Sequence, residues 1–116
     1  KFTLKMPADF PVRTVLAMRV LSGLTPEKIP QAAHSLFDAY WVDNLDIADP
    51  EVVASLVGQD AVEQAGMHDI KKALFQTTEE AVKRGAFGAP TFFVGDEMFF
   101  GHDRLYLLEE YLLTNL

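Results

Sequence analysis

The sequence contains no cysteine. That excludes a disulfide framework and a thiolate metal site within this chain. Its three histidines, His34, His68 and His102, are far apart and in no ligand spacing, so no metal is expected. Positive charge is scarce: 10 Lys and Arg stand against 17 Asp and Glu, a formal net charge of -7. This balance argues against a nucleic-acid partner, which needs a basic face. It does not argue against a small anionic ligand, because one helix start and one arginine act locally. No apolar run reaches the ~18 residues of a membrane span. There is no signal-peptide pattern and no initiator methionine, and Lys1-Phe2-Thr3 reads as the middle of a longer protein. No internal repeat, low-complexity tract or clear interdomain linker is visible.

What is present fits a single soluble unit. The chain has 116 residues, 49% of them hydrophobic, enough for an ordinary core in one domain at most. Lys1–Met6 reads as an extended lead-in, and Pro7 and Pro11 bracket a loop. Pro11 suits the first turn of a helix, where its missing amide costs nothing. Phe10, Thr14, Ala17, Met18, Leu21 and Leu24 then follow a helical stripe. Thr25-Pro26-Glu27 repeats the start signal, and regular helix is expected from about Pro30. Ala33, Leu36, Phe37, Tyr40, Trp41 and Leu45 form its apolar stripe, with Tyr40 and Trp41 expected in the core. Asp49-Pro50-Glu51 starts a short helix through Val57, stopped by Gly58. Asp60–Ala65 is a further helical piece ended by Gly66. Asp69–Arg84 is amphipathic, with Ile70, Leu74, Thr77, Ala81 and Val82 on one face. Lys83 and Arg84 suit the dipole at its C-terminus.

The rest is organised around residues 84–104. Two β-prone runs, Thr91–Val94 and Glu97–Phe100, flank Gly95-Asp96, a two-residue hairpin signal. Pro90 is tolerated at the start of a strand. Local physics alone favours a trans peptide there, since cis is the minority state. A cis bond would turn the chain sharply and leave the Ala89 amide and carbonyl facing outward, an edge suited to pairing with a short peptide. Asp103 reads as the N-cap of a final helix, Arg104–Leu113, whose start would attract anions. Phe87, Phe92, Phe93, Phe99 and Phe100 read mostly as core or sheet-face packing, with one or two of them open to the alternative of flooring an aromatic substrate pocket, and Arg104 reads as a structural or dimer contact. A two-stranded hairpin is marginal in water, so these strands need partners that this chain does not supply.

Gly85-Ala86-Phe87-Gly88-Ala89-Pro90-Thr91, followed by Phe99-Phe100-Gly101-His102-Asp103-Arg104, closely resembles the C-terminal half of the 2-hydroxychromene-2-carboxylate isomerases. These are thioredoxin-like, glutathione-dependent enzymes related to kappa-class glutathione transferases. Phe10-Pro11-Val12-Arg13-Thr14 resembles the family's Phe-Pro-x-Asn-Thr segment, with Arg13 in place of Asn, and residues 38–52 match its helical insertion. The resemblance implies an α/β (α+β) fold: the C-terminal half of a thioredoxin-like domain, with a β-hairpin and a helix, preceded by an all-helical insertion. The division would fall at 1–68 and 69–116, and the N-terminal βαβ unit would lie outside this chain.

The resemblance also implies a cis Ala89-Pro90 peptide and glutathione as cofactor. Ala89 and Pro90 would pair with the cysteinyl part of glutathione, and His102 and Asp103 would hold its γ-glutamyl end. His102 stands where the family often has Ser, Asn or Gln. The family's catalytic serine lies near its N-terminus, and no residue here matches that motif. The implied whole is a glutathione-dependent isomerase of aromatic catabolism, with a small aromatic substrate, a homodimeric assembly and a cytoplasmic location. A kappa-type transferase would share every position named. A DsbA-type thiol-disulfide oxidoreductase would carry Cys-x-x-Cys upstream, and a non-enzymatic helical partner-binding module would have no catalytic half.

Overall fold

The computed structural model describes residues 3–116, so the first two residues of the expected lead-in lie outside the described residues. Six helices and one hairpin follow in order: α1 (Val15–Gly23), α2 (Ile29–Trp41), α3 (Pro50–Val57), α4 (Gln59–Ala65), α5 (His68–Lys83), β1 (Thr91–Val94), β2 (Glu97–Phe100) and α6 (Leu105–Asn115). A 3-10 turn, His102–Arg104, leads into α6. The chain divides into two compact units, Lys1–Gln76 and Thr77–Leu116, and the boundary falls inside α5.

The first unit is a small helical bundle with a true core. Ala17 and Val20 of α1, Leu36, Ala39 and Tyr40 of α2, Ile47, Val53 of α3, and Ala61 and Ala65 of α4 are buried together. Helix α4 packs on both α1 and α3, and α2 packs on α3 and α1. Its start signals work locally. The Asp49 carboxylate accepts the Glu51 amide at 2.9 Å, and Pro50 occupies the first turn of α3. Gly58, at φ 95°, ends that helix in a conformation that a side chain would resist.

Three expectations for this unit change. Pro11 is not in a helix: the Phe10-Pro11 peptide is cis, and α1 begins only at Val15. The buried face of α1 is Ala17 and Val20, while Phe10 and Met18 stay exposed. The small Ala61 and Ala65 on α4 draw the helix in along that line instead. The face of α2 is likewise turned, burying Ala32 and Ala39 while Phe37 remains 62% exposed. Tyr40 is buried and Trp41 half-buried, with their rings edge-on at 4.7 Å.

The second unit contains the C-terminal part of α5, the hairpin and α6. The register pairs Thr91 with Phe100, Phe92 with Phe99, Phe93 with Met98 and Val94 with Glu97. Gly95-Asp96 is therefore the two-residue turn, with Gly95 at φ 58°. Alternation puts Phe92 and Phe99 on one face, and Phe99 meets Tyr111 of α6 at 5.6 Å. On the other face, the Arg84 guanidinium lies 4.0 Å over the Phe93 ring and also donates to the Gly95 carbonyl. None of the buried hydrophobic residues belongs to this unit, so the hairpin and α6 leave their apolar surface largely in solvent. Phe92, Phe93 and Phe99 are half-buried on the hairpin, as sheet-face packing requires, and Phe87 and Phe100 are exposed.

Candidate functional site

Residues 87–90 and 100–104 converge within the second unit. The amide of Gly101 donates to the carbonyl of Pro90 at 2.9 Å. This bond sets the segment after β2 beside the segment before β1, so Ala89 and His102 each lie one residue from it. The Ala89-Pro90 peptide is cis. The Thr91 hydroxyl donates to the Gly88 carbonyl at 2.6 Å and closes the bend from the other side. Ala89 itself is exposed, and neither its amide nor its carbonyl finds a partner among the described residues. An unpaired donor and acceptor on one residue form a short edge for a peptide group to join.

Two glycines make this approach possible. A Cβ at Gly88 would come within 2.8 Å of the Phe100 ring. Gly101 has φ 94°, and a Cβ there would meet the Asp103 carboxylate at 2.5 Å. The Phe100 ring is thus wedged against backbone, and the Phe87 ring packs on it at 4.5 Å between centroids. These two rings, with Met98, Asp103, Arg104 and Leu107, line an open recess of about 530 Å³.

Asp103 does not cap α6. The residue at the cap of the 3-10 turn is Gly101, which has no side chain, and that of α6 is Arg104, with no side-chain cap bond. The intervening turn moves Asp103 past the capping position. Its carboxylate instead lies 3.8 Å from Arg104 Nε, a pair so exposed that it contributes little to stability. The Asp103 carboxylate is therefore open to solvent at the rim of the recess. No acceptor among the described residues takes the amide of His102 or Asp103, which leaves two unpaired donors in the segment that carries that carboxylate. Ala89, Pro90, His102 and Asp103 are brought to one end of the hairpin. Arg13 lies in the first unit, in a separate recess with Asp9, Asn44 and Asp46.

Sequence reasoning missed the Phe87–Phe100 pair and the Arg84–Phe93 contact. The signal for the first was present in Gly88: a glycine beside a strand-start proline marks a close approach, though it does not name the ring that approaches. Among the described residues there is no cluster of potential metal ligands and no helix long and apolar enough to cross a membrane.

The pattern of the DSBA-like thioredoxin domain matches residues 1–113. A 2-hydroxychromene-2-carboxylate isomerase of Pseudomonas sp. (strain C18) is 38% identical over 80 residues, covering 64% of this chain and 38% of that protein. A second protein of that name, from Sphingobium xenophagum, is 51% identical over 49 residues, covering 42% of this chain and 23% of its own length. Glutathione S-transferase kappa 1 of Homo sapiens is 32% identical over 112 residues, covering 83% of this chain and 50% of that protein. A solved structure of 2-hydroxychromene-2-carboxylate isomerase superposes with a TM-score of 0.77 at 24% identity, covering 97% of this chain and 58% of its own. That likeness establishes the thioredoxin-like fold. The chain spans half or less of the length of these curated relatives.

Proposed function

The chain belongs to the DSBA-like thioredoxin domain family, and from that membership we propose that it forms the glutathione-holding part of an isomerase acting on 2-hydroxychromene-2-carboxylate or a close aromatic relative. The observation that carries this reading is the unpaired backbone of Ala89, tied through the Pro90–Gly101 bond to the segment bearing His102 and Asp103. The names of the relatives support it from a separate direction.

The residues offer partners for two parts of the tripeptide. Ala89 offers one N–H and one C=O, the complement of the cysteinyl peptide unit, and pairing there would fix the thiol's position by two backbone bonds. The Asp103 carboxylate, not consumed by capping, would accept from the γ-glutamyl ammonium. The His102 and Asp103 amides would donate to the adjacent γ-glutamyl carboxylate, so the side chain at position 102 is free to vary. Bound glutathione would supply a thiol nucleophile that adds reversibly to the conjugated substrate and is regenerated. A serine outside this chain would lower the thiol pKa. We further propose a homodimer and a cytoplasmic setting, where reduced glutathione is available.

Calorimetric titration of the full-length protein with reduced glutathione tests the site. Binding should be measurable, and Asp103→Ala should weaken it roughly ten-fold, the loss of one charge-assisted bond. Unchanged affinity in that variant would remove Asp103 from the site. The 116 residues alone should show no turnover, and detectable isomerisation by them would place the catalytic group inside this chain. The kappa-type transferase is a second reading, favoured by the relative covering 83% of the chain. It shares the same glutathione positions, and conjugate formation in place of isomerisation would select it.

A further inference from the structure

We draw no further inference here: the strongest candidate, the half-open apolar pocket between α1 and α2 in the first unit, lined by Met18, Leu36, Phe37 and Tyr40, carries nothing, because the Tyr40 hydroxyl, unpaired among the described residues, is sealed from solvent and nothing in the structure shows what covers the exposed Met18 and Phe37.

Discussion

Gly101 is bound by two independent constraints, a φ of 94° and a carboxylate 2.5 Å from where its Cβ would stand. Gly101→Ala should therefore lower stability by about 1–3 kcal/mol, the range for a strained backbone position. It should also displace Asp103, so thermal unfolding and glutathione affinity should fall together in the full-length protein. A variant with wild-type Tm and affinity would contradict this account of the turn. The sequence shows a glycine before His102-Asp103, which is enough to mark a turn. It does not show that the glycine takes the capping position and so releases Asp103. That depends on whether the helix opens with a 3-10 turn, a choice of one hydrogen bond that residue types do not dictate. Arg84 is a similar case. Its place at the end of α5 follows from charge and dipole, whereas its stacking on Phe93 arises only when the hairpin folds back.

At the scale of elements, local signals placed most helices and both strands within a residue or two. Caps, prolines and glycines act through the nearest few residues, so they are readable without knowing the fold. Asp49 is the clearest example, and Asp49→Ala should cost about 1 kcal/mol of stability, measured by denaturant unfolding. Glu27, ahead of α2, gives a second check. A hydrogen bond from its own backbone amide, and then one with Thr25, hold its carboxyl below the ordinary value. A depressed folded-state pKa contributes stability above the unfolded value and loses it as pH falls through the lower folded one. An NMR titration should therefore find the Glu27 midpoint below that of the unfolded chain, and Thr25→Val should move it upward. Which side of a helix is buried was less legible. The stripes through Met18 and Phe37 satisfy helical spacing, yet packing against the small residues of α4 and against α3 turned α1 and α2 toward Val20 and Ala39. Periodicity identifies an apolar face, and the neighbour decides its centre.

At the scale of the whole molecule, the two units differ in kind. Lys1–Gln76 holds every residue of the buried hydrophobic core, and Thr77–Leu116 holds none. Amide exchange on the 116-residue chain should accordingly show strong protection in α1–α4 and rapid exchange across Thr91–Phe100, since local stability follows buried apolar contact. Equal protection in both would mean that the hairpin is self-sufficient. The sequence pointed to this asymmetry, because a two-stranded hairpin with apolar residues on both faces has too few partners. A hairpin turning at Gly95-Asp96 also sets residues 87–90 beside 100–104, and the register with the Gly101–Pro90 bond fixes how they meet. The central claim is that Ala89 is the edge on which glutathione docks. Its most direct test is the Ala89 amide resonance of the 15N-labelled full-length protein during titration with reduced glutathione. The account predicts a saturable shift of Ala89 together with His102 and Asp103, and slowed exchange of the Ala89 proton at saturation. Glutathione binding that leaves Ala89 unmoved, or no binding at all, would contradict it.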